Sequence, residues 1–183
     1  MHEPLLLHIG GEERQKGWTL IDIQPGPDVD IVADCTNLRM LRDGSCAVIY
    51  ASHVIEHLGF REQLPTALKE FFRLLIPHGR LMLSVPDMDV LCHLYLNAAK
   101  HTDQQAIIMA MIFGAQSDTH DFHKVGLNGP YLAGHLHQAG FVNICRVPGF
   151  GRDDTSEMAF DGTPISLNMT ATKPGYSYIP QSA

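Results

Sequence analysis

The chain has 183 residues, 45% of them hydrophobic and 18% charged, which is the composition of one folded domain with a sizeable core. The net charge is −7 and no cluster of Lys and Arg occurs, which argues against a nucleic-acid backbone as the main partner. The longest apolar stretch, residues 106–115, is too short to span a bilayer, and the first residues lack the pattern of a signal peptide. We therefore expect a cytoplasmic protein without a membrane partner.

The first part of the chain predicts four strands joined by turns. The four apolar runs are residues 5–9, 17–23, 29–34 and 46–52. The first run ends at Gly10 and Gly11, which form a turn, and the second and third runs carry acids near their ends, Asp22 and Asp34. The fourth run is continuously apolar, which is typical of a parallel strand buried on both faces.

The rest of the chain alternates predicted helices and strands. These are helix 62–75, strand 80–86, helices 88–100 and 103–113, helix 130–139, strand 141–147 and strand 165–173, with loops at 117–129 and 148–164. The last strand alternates apolar and polar residues as an antiparallel edge strand would. Strands alternating with helices predict an α/β sheet with right-handed crossovers. We expect a single domain over residues 1–175 and a mobile tail at 176–183.

Ligands of parallel α/β sheets bind at the carboxyl ends of the strands. The residues expected at this rim are the acids Asp22, Asp34 and Asp87, and His53, Glu56 and His57 of the SHVIEH segment. Each aspartate alone suits a turn or a helix N-cap equally well, whereas three on one rim favour a ligand site. A glycine turn followed by an acid is typical of sheets that bind a nucleotide-like ligand, but the full G-x-G-x-x-G pattern is absent.

Metal binding and redox chemistry have weaker support in the sequence. The four cysteines stand apart, with no C-x-x-C pair, so we expect reduced thiols. Two histidine pairs occur, His53 with His57 and His120 with His123, but neither has an evident third ligand nearby in the sequence. We therefore expect no bound metal.

Read together, the segments resemble a class I S-adenosylmethionine-dependent methyltransferase, specifically the short bacterial proteins of the methyltransferase type 11 group. The resemblance covers nearly the whole chain. It rests on LHIGG, GWTLIDI, DIVADCTNL, VIYASHVIEHL, EFFRLLIPHGRLMLSVPD, FGAQSDTHDFHKVG, AGF and GTPISLNMTATKP, in that order. It implies a Rossmann-like, doubly wound, mostly parallel sheet with an antiparallel C-terminal strand, and S-adenosylmethionine as the cofactor.

The resemblance also implies roles for individual residues. Those expected to bind the cofactor are Gly10 and Gly11 at its methionine part, Asp22 at the ribose, Ile23, Asp34 and Cys35 around the adenine, and Ser52 and His53 at the methyl-transfer position. Transfer to oxygen or nitrogen also requires the loss of a proton, for which a histidine is suited. His57 and His123 are the candidate catalytic bases, with Asp121 and Glu56 in reserve.

Three features depart from the pattern of this family. Glu12 stands where the group has glycine, and His78 stands where Pro-Gly-Gly is usual. Glu12 would repel the cofactor carboxylate, or would face the cofactor ammonium with Arg14 or Lys16 near the carboxylate. Gly10 and Asp22 lie so close in sequence that the first crossover helix must be shortened or missing, which removes a helix N-terminus that would help to hold an anion.

The predicted reaction is methyl transfer to an oxygen or nitrogen nucleophile of a small molecule. The main alternative is a catalytically degenerate domain that serves as a binding or assembly partner, with homodimerisation through the Met-rich helices 88–100 and 103–113. A third possible function is the binding of NAD by the same kind of sheet. The Met-rich content of these two helices by itself indicates core packing more than a cofactor site.

Overall fold

A computed structural model describes residues 3–11, 13–97 and 102–175. Glu12, the end of the first Met-rich helix and the tail 176–183 lie outside these ranges, so the expectations placed on them stay predictions. Within the described ranges, no helix has the length and apolar character needed to cross a membrane.

A seven-stranded mixed sheet forms the centre of the fold. Its strands are β1 (Leu5–Ile9), β2 (Trp18–Asp22), β3 (Ile31–Val32), β4 (Cys46–Ser52), β5 (Leu75–Pro86), β6 (Val142–Val147) and β9 (Ser166–Thr172), and the short strands β7 (Ala159–Phe160) and β8 (Thr163–Pro164) form a separate hairpin. The order is β3-β2-β1-β4-β5-β9-β6, and β9 is antiparallel to both of its neighbours while the other pairs are parallel. This confirms the predicted fold class. The order reverses between β1 and β4, and a crevice is expected there.

Two helices cover one face of the sheet. The described residues form four α-helices, α1 (Gln63–Leu74), α2 (Met88–Asn97), α3 (Thr102–Phe113) and α4 (Gly129–Gln138). The apolar positions of α1 recur at helical spacing, and Leu64, Leu68 and Phe71 are fully buried in the main core. Leu132 and Leu136 of α4 join the same core, which also contains the alternate apolar residues of the central strands.

Three predicted strand boundaries or positions need correction. Strand β3 has only two residues instead of the six predicted, because only Ile21 and Asp22 of β2 pair with it. Strand β5 begins five residues before the predicted start, since Leu75 already pairs with Cys46 directly after α1 ends. Strand β9 lies between β5 and β6, so it is not the predicted edge strand. Its alternating polar residues face a packed segment of the chain and not solvent, as described below.

The α2–α3 hairpin packs less completely than its composition predicts. Ile108 is the residue of α3 that is fully buried, in a small cluster with Leu91 and Ile165. Met111 packs against this cluster, but Met109 is exposed. The prediction that the methionines belong to the core therefore holds for one of these two. Homodimerisation through this hairpin stays a prediction.

The first crossover helix is missing, as predicted from the spacing. The described residues between β1 and β2 form turns and no helix. The sheet face that such a helix would cover carries alternate residues of four strands, namely His8, Tyr50, Ser84 and Asn168, all of them buried. The long segment 148–158 covers this face instead: Nδ2 of Asn168 donates a hydrogen bond of 2.9 Å to the Ser156 carbonyl.

Arg152 lies at the centre of this covering segment. Its guanidinium lies 4.5 Å from the centroid of the Trp18 ring and 4.3 Å from that of Tyr50, both within cation–π distance. The Tyr50 hydroxyl donates to both carboxylate oxygens of Asp154, at 2.9 and 2.8 Å, and Asp154 also accepts from the backbone of Ser156. The predicted loop 148–164 is therefore an ordered cover with a polar and aromatic core, and its 3-10 turn Thr155–Glu157 and the β7–β8 hairpin add local structure.

Buried His8 should make stability depend on pH. Burial, reinforced by the positive charge of Arg152, lowers the pKa of His8 from 6.5 to about 4. Between these values the unfolded chain binds more protons than the folded chain, so the free energy of unfolding decreases as the pH falls from 6.5 towards 4. We expect His8→Phe to remove at most about 2–3 kcal/mol of the difference in unfolding free energy between pH 7.5 and pH 4.5.

Urea denaturation at the two pH values measures this effect. The control is His137→Gln, which changes an exposed histidine of α4 and should leave the wild-type pH dependence intact. Equal pH dependence in His8→Phe and wild-type protein would contradict the prediction.

Candidate functional site

A cavity of about 560 Å³ opens at the carboxyl ends of β1, β2 and β4. The residues that line it are Ile9, Gly10, Asp22, Ile23, Gln24, Ala33, Asp34, Cys35, His53, Val54, His57, Leu58, Gln63, 117–121 and Lys124. Six of the eight residues predicted to bind the cofactor are in this wall, together with one of the two candidate bases, His57. The polar loop that was expected to cover the crevice also contributes to the wall.

Gly10 is required at the floor of the cavity. It has φ +72°, a conformation that glycine adopts without strain, and its N–H donates to the Ile21 carbonyl at 2.8 Å. A Cβ at this position would overlap the side chain of Val54, which follows β4. The turn after β1 can therefore pack against the segment after β4 only because residue 10 has no side chain.

The two rim acids are held by their own turns. Oδ1 of Asp22 accepts the N–H of Gln24 at 2.7 Å, and Oδ1 of Asp34 accepts both the N–H and the hydroxyl of Thr36. These are the local bonds that fit aspartate to turns. In both residues the second carboxylate oxygen, Oδ2, has no part in these bonds, and both residues line the cavity. Each aspartate can therefore stabilise its turn and still bind a ligand.

Ile23 and Cys35 supply an apolar part of the wall beside these acids. Burial, with the charge of Asp34 adding to it, raises the pKa of the Cys35 thiol to about 12. The thiol is thus protonated throughout the physiological range and behaves as a small neutral side chain.

Five predicted residues lie outside the cavity wall, namely Gly11, Ser52, Glu56, Asp87 and His123. Glu56 is buried. Gly11 packs under His8 and Leu20, where a Cβ would overlap both side chains. The Ser52 hydroxyl lies 2.6 Å from that of Thr155, on the covered face of the sheet. The third rim acid, Asp87, is buried and pairs with Arg146 at 2.8 Å. His123 lies next to the cavity but does not line it.

Arg14 and Lys16 are also absent from the wall. Arg14 forms an ion pair of 2.6 Å with Asp30, beside the start of β3. The lysine that lines the cavity is Lys124, which sequence reasoning did not single out. No local pattern marks it, because it reaches the cavity through the fold of the loop 117–125.

His53 has a defined tautomer. The Ser166 hydroxyl donates to the Thr155 carbonyl at 2.8 Å, so it accepts from Nε2 of His53 at 3.0 Å. Nδ1 of His53 is then unprotonated and lies 3.4 Å from Oε1 of Glu56. Burial lowers the pKa of His53 to about 4 and raises that of Glu56 to about 8, so this contact joins two neutral groups near pH 7 and is not an ion pair.

His57 and His123 lie against each other. Their ring centroids are 4.8 Å apart and their planes meet at 77°. Nδ1 of His57 donates to the Phe122 carbonyl at 3.2 Å, which leaves Nε2 as its unprotonated nitrogen. Burial lowers the pKa of both histidines, so both are neutral at physiological pH. The two predicted bases therefore form one pair.

Asp121, one of the two reserve candidates for the catalytic base, lies in the loop 117–125. Its Oδ2 accepts the N–H and the hydroxyl of Ser117, and these two bonds lower its pKa. It is ionised at neutral pH and contributes negative charge to the cavity, together with Asp22, Asp34 and Asp118. The wall thus carries four carboxylates and one lysine.

Comparison with known proteins identifies the fold. Residues 13–83 match the sequence family described as a methyltransferase domain, type 11. Several solved structures that align with more than nine tenths of the chain are methyltransferases. The fold is that of a class I methyltransferase. This confirms the fold that the resemblance implies.

Three of the similar structures illustrate the range of this methyltransferase fold. A SAM-dependent methyltransferase from Archaeoglobus fulgidus has 15% identity and a TM-score of 0.60, with 93% of this chain and 86% of that chain covered. The 1,6-didemethyltoxoflavin-N1-methyltransferase from Burkholderia thailandensis, which has its substrate and S-adenosylhomocysteine bound, has 17% identity and a TM-score of 0.56, with 94% and 72% covered. The CurJ carbon methyltransferase has 14% identity and a TM-score of 0.56, with 94% and 49% covered.

The chain thus spans about half the length of the CurJ carbon methyltransferase and most of the length of the archaeal methyltransferase. No curated protein matches the sequence. The predicted cofactor, S-adenosylmethionine, is the one on which the archaeal neighbour depends.

Proposed function

We propose that this protein is an S-adenosylmethionine-dependent methyltransferase that acts on an oxygen or nitrogen nucleophile of a small molecule. The observation that supports the proposal is that one cavity is lined both by Gly10, Asp22, Ile23, Asp34 and Cys35 and by His53 and His57. A cofactor and an acceptor that react by direct displacement must share one space, and this cavity provides it.

The charge of the cavity suits this cofactor. S-adenosylmethionine carries a sulfonium and an ammonium against one carboxylate, whereas NAD carries two phosphates. A wall with four carboxylates and one lysine favours the net cation and disfavours the anionic diphosphate of NAD. The missing crossover helix supports the same choice, since among the described residues between β1 and β2 no helix N-terminus is available to hold a pyrophosphate. Lys124 is available for the cofactor carboxylate or an acidic acceptor.

The residues of the chain would act mainly by positioning. S-adenosylmethionine supplies an electrophilic methyl group, which a nucleophile takes with release of the thioether. Asp22 would hold the ribose through its free carboxylate oxygen, and Gly10 would let the ligand approach the backbone. Nε2 of His57, unprotonated and at the acceptor end, would take up the proton that the acceptor loses.

A titration with S-adenosylmethionine tests this function. At 100 times its dissociation constant, a ligand that binds only the folded state stabilises it by about 2.7 kcal/mol. For a chain of this size, that corresponds to a rise in Tm of about 5–10 °C. We expect this rise with S-adenosylmethionine in a thermal-shift assay, and a much smaller one with NAD or ATP, which share the adenosine but are anionic.

The same assay separates the alternatives. No response at millimolar S-adenosylmethionine would overturn the enzyme proposal and favour the degenerate binding domain. A larger shift with NAD would favour the dinucleotide-binding alternative.

A further inference from the structure

Three side chains with metal-binding atoms meet beside the acceptor end of the cavity. They are Glu56 and His57, from the 3-10 turn after β4, and His123, from the loop after α3. One ligand-type atom from each lies within 4.8 Å of the other two. We propose that Glu56, His57 and His123 bind a divalent transition-metal ion.

Glu56 provides the observation that points to a ligand. The residue is 1% exposed, and neither of its carboxylate oxygens has a hydrogen-bond partner among the described residues. The contact of Oε1 with Nδ1 of His53, at 3.4 Å, lacks hydrogen-bond geometry. Buried carboxyl groups are normally hydrogen-bonded, paired with a cation or bound to a metal. A metal ion would supply the partner that this carboxyl lacks.

His57 is oriented as metal-binding histidines usually are. A ligand histidine commonly donates its second ring N–H to a carbonyl or carboxylate, which fixes the tautomer and the ring. Nδ1 of His57 donates to the Phe122 carbonyl, so Nε2 carries the free lone pair. His123 follows Phe122 directly, so the bond that orients one histidine also brings the second one close.

The loop that carries His123 is anchored to the turn that carries the other two residues. The N–H groups of Lys124 and Val125 donate to the Glu56 carbonyl at 2.8 and 3.3 Å, and the N–H of His123 donates to the Phe113 carbonyl at 3.0 Å. Gly114, with φ +82°, lets the loop return closely, because a Cβ there would overlap the Asp121 backbone. Backbone bonds therefore hold the three side chains together without the ion.

The donor set indicates which metals fit. Two imidazoles and one carboxylate suit Zn²⁺, Fe²⁺, Co²⁺ or Ni²⁺, whereas Mg²⁺ and Ca²⁺ prefer oxygen ligands alone. Three protein ligands also leave a coordination position free, as in catalytic zinc sites. His57 lines the cavity, so the free position is available to water or to an acceptor heteroatom from that side.

A bound ion would change how the acceptor loses its proton. Nε2 of His57 would donate its lone pair to the metal and would no longer act as a base. An acceptor oxygen or nitrogen bound to the ion would instead release its proton more easily, as metal-bound water does. Metal binding itself does not require methyl transfer, so the two proposals can fail separately.

Metal titration of the purified, chelator-treated protein tests the site. We expect Zn²⁺ and Co²⁺ to bind at one ion per chain in calorimetry, and Co²⁺ to show the absorption of a nitrogen- and oxygen-bound ion without a thiolate charge-transfer band. Mg²⁺ should not compete. Glu56→Gln, His57→Asn and His123→Asn should each weaken binding by at least about 100-fold, since even changes behind a ligand cost 10–100-fold.

His120→Asn is the matched control. His120 belongs to the same loop and lines the cavity but is not part of the three-residue group, so its replacement should leave affinity and stoichiometry unchanged. Thermal melts without metal establish that each variant is folded, and Glu56→Gln is the most conservative of them in shape. Absence of stoichiometric binding to the wild-type protein, or binding that Glu56→Gln and His123→Asn leave unchanged, would overturn the proposal.

Discussion

Asp22→Ala is expected to weaken the binding of S-adenosylmethionine by about 10–100-fold, measured by calorimetry. Hydrogen bonds to a charged group contribute about 1.5–3 kcal/mol each, and one free oxygen of Asp22 is available at the cavity wall. Asp22→Asn keeps an acceptor for the turn but removes the charge, so its loss of affinity should be smaller. A decrease in affinity from wild type to Asp22→Asn to Asp22→Ala would identify the Asp22 carboxylate as the partner of the ribose.

The matched control is Asp118→Ala. Asp118 also lines the cavity, and its Oδ1 accepts the N–H two residues later at 2.6 Å, as that of Asp22 does at 2.7 Å. The two variants therefore lose the same kind of turn bond. Asp118 lies in the loop 117–125 and is not expected to contact the ribose, so its replacement should remove only its share of the negative charge of the wall and should weaken cofactor binding much less than Asp22→Ala does. Equal losses in both variants would indicate general disturbance of the cavity and would remove the specific role of Asp22.

Arg152→Ala is expected to destabilise the fold by about 3 kcal/mol, a decrease in Tm of about 6–12 °C. A cation–π contact in a desolvated setting contributes about 2 kcal/mol, and Arg152 has two such contacts while its side chain is only 14% exposed. Its loss also leaves Asp154 without the guanidinium, 3.7 Å away. Arg152→Lys keeps the charge but not the planar stacking, and should recover only part of the stability.

Arg61→Ala is the control for this prediction. The Arg61 guanidinium lies 5.8 Å from the Phe60 ring, and both residues are exposed. Its replacement should change the free energy of unfolding by less than about 0.5 kcal/mol, because surface contacts of this kind contribute little. Comparable destabilisation by Arg61→Ala, or none by Arg152→Ala, would contradict the view that segment 148–158 is a structural cover.

Hydrogen bonds connect the covering segment 148–158 to the cavity. Thr155 contacts Ser52 at the end of β4, and Ser166 bonds to both Thr155 and His53. The cover and the cavity therefore share a chain of hydrogen bonds through the end of β4. Loosening the cover should disturb the orientation of His53 even though Arg152 is absent from the cavity wall.

The elements that sequence reasoning located best are those whose own residues define them. Strands β1 and β4 match the predicted bounds, and α1 differs by one residue at each end, because an apolar run or a helical repeat is a local property. Asp22, Asp34 and His57 reached the cavity for a related reason. They lie at or just after the carboxyl ends of parallel strands, and these ends meet at one edge of the sheet. Asp87 also follows such a strand, but Arg146 pairs with it from β6.

By itself, then, the sequence determined the α/β class, the missing crossover helix and the rim that carries the cavity. Only the tertiary structure decided which distant residues contact the side chains at and beside that rim. Tyr50 and Asp154 are 104 residues apart, and His57 and Phe122 are 65 apart. Neither pair has a spacing that a helix or a strand would repeat. Contacts of this kind depend on how loops return across the sheet, and hydrogen bonding and packing over the whole fold determine that return.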